Sequence, residues 1–278
     1  MENIHPKTFQ THAGKIEYYY QKNPNNDLTI LFIHGLTGNK EWFPDQYQRF
    51  DLRRYSWITY DLLGHGKSDK PKRQECYTME FQASILHQLL ETLYVKRMII
   101  FAHSMGGPIA ISLLENILNP SPEFKIDCEV LGLFYLEGNL DRGNATFSGI
   151  VADYSQEVFE QNFESFIQDI APPSDPDSAE TLEAFRTIGA FPLWATCVDL
   201  ARTSRREDLL PRLLKIASFP IYFIFGENNK GTYSSEVLLQ NNNQPIVYIP
   251  NAGHGLYLEN PQEFWKQTLN ILLMKILT

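Results

Sequence analysis

Ala102-His103-Ser104-Met105-Gly106-Gly107 is the stretch that decides how this chain is read. It follows the apolar run Arg97–Phe101 and opens Ser104–Leu118, where apolar residues recur at helical spacing. A buried strand, a tight turn and a helix, in that order, are the setting of a nucleophile elbow. So tight a turn requires small residues on either side of the serine. It lifts the hydroxyl to the helix N-terminus, where unpaired amides and the helix dipole favour negative charge. The usual pattern is Gly-x-Ser-x-Gly, and here Ala102 replaces the first glycine. A serine N-cap on an ordinary helix is the plainer account of the same residues. The rest of the chain has to choose.

Outward from the elbow, strand-like and helix-like runs alternate. The strand-like runs are Lys15–Gln21, Leu28–His34, Trp57–Tyr60, Arg97–Ala102, Val130–Leu136, Ile221–Phe225 and Pro245–Ile249. Several are continuously apolar, which suits strands buried on both faces of a parallel sheet. Helical spacing appears in Tyr77–Tyr94, in Ser104–Leu118 and in Pro261–Leu277, the last with proline in its first turn. The expected fold class is therefore α/β, a mostly parallel, doubly wound sheet. From Asp141 to Leu214 the alternation fails, and Pro172-Pro173 and Asp175-Pro176 punctuate a polar, aromatic, helix-like segment. Residues 141–214 read as an insertion over the carboxyl edge of the sheet, with the core at 1–140 and 215–278.

Composition narrows the function classes. The 278 residues carry 33 acidic and 24 basic side chains, a net charge of −9, with 43% hydrophobic residues. That is enough apolar material for a sizeable core. The densest basic run, Arg202 to Arg206, is offset by Glu207 and Asp208, so no nucleic-acid partner is expected. Cys76, Cys128 and Cys197 cannot all pair and have no metal-ligand spacing. Met1–Gln10 lacks the apolar stretch of a signal peptide, and Met98–Leu114 is too interrupted to span a membrane. A cytoplasmic protein without a membrane span is expected, with self-association left open.

Three more strand ends carry informative residues. Phe32-Ile33-His34-Gly35-Leu36 closes one buried run, and a loop in this place supplies the second oxyanion amide in acyl transfer. The backbone N–H groups of Leu36 and Met105 are the candidate donors. The run Asp61-Leu62-Leu63-Gly64-His65-Gly66-Lys67-Ser68-Asp69 lacks phosphate-loop spacing and reads as a structural turn. Asn251-Ala252-Gly253-His254-Gly255 lies between the last strand and the last helix, where a general base would follow serine and acid.

Taken in order, these motifs resemble the α/β-hydrolase fold superfamily, in particular its serine esterase and lipase-like members. The resemblance covers the chain from about Ile16 to its end and implies that 141–214 is a helical cap. It also exposes a departure. The family often places its acid in a Gly-Glu-x-Asp turn after the strand that here reads Ile221–Phe225. This chain has Gly226-Glu227-Asn228-Asn229, with Asn229 where the aspartate is expected. A carboxylate directly after Val130–Leu136, Glu137, is the replacement of choice, with Asp141 second and Glu227 third. Some relatives, haloalkane dehalogenases among them, carry their acid after the corresponding strand.

The remaining candidates are plainer. His103 reads as a packing residue, because a side chain next to the nucleophile points away from it. His5, His12, His65 and His87 show no mutual ligand spacing, so no metal is expected, and no motif calls for a cofactor. Phe147, Tyr154, Phe159, Phe163, Phe166, Phe191 and Trp194 suit an acyl pocket or the insertion's own packing. Asn144-Ala145-Thr146 is a sequon only in a secreted protein. The expectation is a cofactor-free serine hydrolase acting on a small acyl substrate, with Ser104, His254 and Glu137 as its catalytic set. The alternative is a non-catalytic binding protein that keeps the pocket, to which Asn229 lends its only support.

Overall fold

The computed structural model describes residues 4–43, 52–119, 126–174 and 178–276. Eight strands form one sheet: β1 Lys7–Thr11, β2 Gly14–Gln21, β3 Leu28–Ile33, β4 Ser56–Tyr60, β5 Arg97–His103, β6 Glu129–Leu136, β7 Ile221–Gly226 and β8 Ile246–Ile249. Their spatial order is β1-β2-β4-β3-β5-β6-β7-β8. Pairings from β4 to β8 are parallel, while β1 and β2 join the edge antiparallel. All seven expected strands are present. The strand not anticipated, β1, lies at the edge and buries only Thr11, so it carried no apolar signal.

Central strands are buried along nearly their whole length because both faces of the pleat are covered. In β5, Met98, Ile100 and Ala102 join one apolar cluster, while Ile99 and Phe101 join the other. The first cluster lies under α1 (Met79–Thr92) and α2 (Gly106–Leu118), which pack on each other. The second is covered by α10 (Pro261–Ile271) through Phe264 and Trp265. There Phe101 and Phe134 stack with centroids 4.3 Å apart.

Among the described residues five α-helices, and no strand, separate β6 from β7. They are α3 Thr146–Ala152, α4 Gln156–Ile170, α5 Ala179–Ile188, α6 Ala190–Arg205 and α7 Leu209–Ile216. Val151, Phe159, Ile167, Leu182, Phe185, Ile188, Leu193 and Cys197 form a separate core for this segment. Leu209, Leu210 and Leu213 of α7 belong instead to the main core. Two short α-helices, α8 Ser234–Asn241 and α9 Leu256–Glu259, precede α10 after β7. The breaker Asp175-Pro176 and the residue Leu277 lie outside the described residues.

A buried ion pair ties the loops that leave β3 and β4. The Asp61 carboxylate accepts from Lys40 N (2.7 Å), Lys40 Nζ (3.0 Å) and Lys67 N (2.8 Å). Both side chains are nearly inaccessible, 3% for Lys40 and 0% for Asp61. Gly66 has φ +49° and lies so close that a Cβ would collide with the Asp61 carboxyl group. Breaking such a pair from one side leaves a buried charge uncompensated. Lys40→Met is therefore expected to cost about 3–5 kcal/mol in urea unfolding. A loss below about 1 kcal/mol would put the pair in the class of exposed ones and refute this reading.

Candidate active site

The elbow is built from steric necessity. Ser104 sits at φ 53°, a left-handed conformation that non-glycine residues adopt at a cost of about 1–3 kcal/mol. Its N–H donates to Leu136 O at 2.9 Å, which pins the turn to the neighbouring strand. A Cβ on Gly106 would stand 2.5 Å from the Ile33 carbonyl oxygen, so the second glycine of the pattern is obligatory. Ala102 is fully buried in the main core, and its methyl fits where the pattern has glycine. Met105 gives α2 no side-chain cap, so its first amides are not satisfied by a capping side chain.

Gly35 packs directly beside Ser104 and His103: a Cβ there would be 3.0 Å from Ser104 Cβ and 3.1 Å from His103 Nδ1. Leu62 N–H donates to His34 Nε2 at 3.2 Å, so the ring proton is on Nδ1, which donates to Gly35 O at 2.8 Å. Burial above all pushes His34 down to about 3, so this ring is neutral. A trans peptide sets C=O and the following N–H antiparallel. Holding Gly35 O on His34 therefore turns the Leu36 N–H the other way. On the far side of the same residue, His65 Nε2 lies 2.8 Å from Leu36 O.

Glu137 and His254, 117 positions apart, come together here. His254 Nδ1 is 2.8 Å from Glu137 Oε2, with the Glu137 side chain wholly buried and the His254 side chain 46% exposed. Glu137 lies one residue beyond β6 at φ 41°, its N–H bonded to Ile224 O at 3.0 Å. Its Oε1 accepts from Gly226 N at 2.7 Å, and Asn229 Nδ2 donates to both oxygens, at 3.1 and 2.9 Å. Burial first, then the Glu137 charge, pushes the Tyr233 phenol up to about 12. The other two candidate acids are placed differently. Asp141 accepts from Gly143 N–H and Ser234 Oγ, and Glu227 is exposed in a short turn.

Ser104, Glu137 and His254 share one cavity of about 760 Å³. Leu36, Phe147, Phe185, Ile188 and Leu200 give it apolar walls, and Glu180 and Glu183 of α5 also line it. Of the insertion aromatics singled out from sequence, Phe147 lines this cavity and Phe159 is buried in the insertion's own core. Trp194 packs between the two cores and donates through Nε1 to Tyr154 O at 2.9 Å. His103 also lines the cavity and bonds the His254 carbonyl, a contact the sequence reading missed. Among the described residues there is no cluster of His, Cys, Asp or Glu that could hold a metal, and no helix long and apolar enough to cross a membrane.

Residues 29–261 match the family profile described as the alpha/beta hydrolase fold. The chain belongs to that family. One relative of this hydrolase is the 2-(acetamidomethylene)succinate hydrolase of Mesorhizobium japonicum, 25% identical over 93% of the present chain and 92% of its own. Among solved structures, an esterase from Exiguobacterium antarcticum aligns with TM-score 0.70 at 19% identity, covering 94% of this chain and 97% of that one. The epoxide hydrolase CorEH aligns with TM-score 0.71 at 16% identity, covering 98% and 99%. At such identities the solved structures share the fold alone. Their chemistries differ.

The Glu137–Asn229 contact predicts a pH effect. Asn229→Asp would set a second carboxylate 2.9 Å from Glu137 Oε2, where the two cannot both ionise. One of them then holds a proton with a pKa above its unfolded value. The folded variant binds more protons than the unfolded chain, so it loses stability as pH rises toward that raised value. Its urea midpoint should lie close to wild type at about pH 4.5 and well below it at about pH 8. A gap that stays constant across this range would contradict the arrangement.

Proposed function

We propose that the protein is a serine hydrolase that cleaves a carboxylic ester or a related acyl bond through an acyl-enzyme. One observation carries the reading: the buried Glu137 carboxylate on His254 Nδ1, in the same cavity as a serine held on a strained elbow. With Nδ1 engaged, His254 Nε2 is the basic nitrogen left for the Ser104 hydroxyl. It takes that proton as Oγ bonds to the carbonyl carbon, and the imidazolium is balanced by Glu137. The Leu36 and Met105 amides serve as donors to the carbonyl oxygen as it becomes an oxyanion. Collapse expels the alcohol, protonated from His254 Nε2. Water, deprotonated by the same nitrogen, then attacks the acyl carbon, and as the acid leaves, His254 Nε2 returns the proton to Ser104 Oγ.

Asn229 no longer speaks for a binding protein, because its amide holds the acid in place of supplying it. A serine nucleophile also differs from the aspartate that the family uses in epoxide hydrolases, and favours acyl transfer. In this reading 141–214 is a helical cap over a core of 1–140 and 215–278. Its Phe147, Phe185 and Ile188 walls receive the acyl chain. The free thiols of Cys76, Cys128 and Cys197 suit the reducing, cytoplasmic setting included in the proposal.

Ser104→Ala should abolish both hydrolysis of p-nitrophenyl esters and labelling by a fluorophosphonate probe while the protein stays folded. Persistent labelling would place the nucleophile elsewhere. Glu137→Gln should lower kcat by on the order of 10⁴ with little change in KM, since the lost charge matters in the transition state. Asn229→Ala should cost much less. The inverse ranking would remove Glu137 from its assigned role.

The carboxylates of Glu180 and Glu183 bear on substrate charge. The Mesorhizobium relative is named for a succinate, a dicarboxylic acid. An anion on the acyl arm would here meet two more carboxylates, so a neutral acyl group is the expected substrate. A p-nitrophenyl ester ending in a carboxylate should show kcat/KM about tenfold below its neutral isostere at low salt, with the gap closing as salt screens exposed charge. Equal rates at low salt would refute this preference.

A further inference from the structure

We infer that His103 is a positioning residue for His254: its Nε2–H anchors the His254 main-chain carbonyl while its ring backs the imidazole, holding the base in reach of Ser104. The inference rests on His254 acting as the general base. His103 is the last residue of β5, adjacent to the nucleophile, and is only 3% exposed. Its Nε2 lies 2.8 Å from His254 O, and the Tyr257 hydroxyl lies 3.4 Å from its Nδ1. A carbonyl oxygen can only accept, so Nε2 carries the proton, and Nδ1 is left to accept from the tyrosine O–H. One neutral tautomer satisfies both partners.

The rings add a second constraint. His103 and His254 have centroids 4.7 Å apart at 44°, and Tyr257 meets His103 edge-on at 5.3 Å. On another side a Cβ on Gly35 would stand only 3.1 Å from His103 Nδ1, so the ring lies close to the Gly35 loop as well as to the His254 loop. Among the described residues, the titratable groups facing it are His254, Tyr257 and His34. Burial first, then the neighbouring His254, pushes His103 down to about 3. A neutral His103 keeps its donor and adds no charge beside an imidazolium at His254.

The need for such an anchor follows from the exposure of His254. The Glu137 bond fixes one ring nitrogen, but nearly half the His254 side chain is open to solvent. The imidazole can pivot about that bond unless its main chain is held. A misplacement of about 1 Å between base and nucleophile can cost about 10²-fold in rate.

The test compares His103→Phe, which keeps a ring without a donor, with His103→Gln, whose side-chain amide reaches the same carbonyl. His103→Phe should lower kcat on a p-nitrophenyl ester by about 30- to 100-fold with KM within about threefold, and slow fluorophosphonate labelling in proportion. His103→Gln should recover most of the rate. Should the phenylalanine variant fail to fold, His103→Asn, whose amide is too short, takes its place against His103→Gln. Long-range ¹H–¹⁵N spectra of the wild type should show His103 as a neutral Nε2–H tautomer between about pH 5 and 9. Wild-type kcat in the donor-free variant, equal losses in the paired variants, or a doubly protonated His103 in that range would overturn the inference. A wild-type protein that the probe fails to label would overturn the hydrolase reading itself, which is a separate result.

Discussion

Two backbone hydrogen bonds, each one step past the regular ladder, set the geometry of everything else in the site. Ser104 N–H reaches Leu136 O, and Glu137 N–H reaches Ile224 O. Because β5, β6 and β7 are parallel neighbours, these bonds align three strand ends like successive treads. The chain leaves two of the three strands through a left-handed residue, Ser104 and then Glu137. Both reversals bring a side chain back over the carboxyl edge. A parallel sheet makes this possible, since all its strand ends open on one side.

The Glu137 pocket shows how a buried charge is kept without a cation. A carboxylate with no solvent contact needs its oxygens filled by donors. Gly226 N–H, the Asn229 amide and His254 Nδ1 supply them. Asn229 and Glu137 thus form a matched set, one amide and one carboxylate. Reading position 229 alone suggests a damaged enzyme. Position 137 places a carboxylate against that amide.

Three buried histidines outside the proposed triad bracket the same loops. His34 donates to Gly35 O, His65 lies within hydrogen-bond distance of Leu36 O, and His103 donates to His254 O. Burial pushes all three down, so they act as neutral rings and not as charges. A neutral imidazole combines a directed N–H with a flat apolar body, which suits a tight place beside backbone. The Lys40–Asp61 pair performs the matching task lower in the loops, where an ionic clamp joins the exits of β3 and β4.

The sequence by itself determined the order of strands and helices, and it singled out the tight turn at Ser104, the loop of His254 and the carboxylate directly after β6. These were legible because they are local: apolar runs, glycines at fixed offsets, and one acid directly after a buried strand. Edge strand β1 was not legible, since a strand that buries one residue in five has no periodic signal. Nor was the reach of His103, because adjacency to Ser104 says nothing of a residue 151 positions away. The division of the insertion's aromatics between cavity and packing was equally hidden, as both uses select the same apolar rings. Tertiary structure alone decided those questions. Each depends on which strand end lies beside which, and that is settled by sheet pairing across distant segments, not by neighbours in the chain.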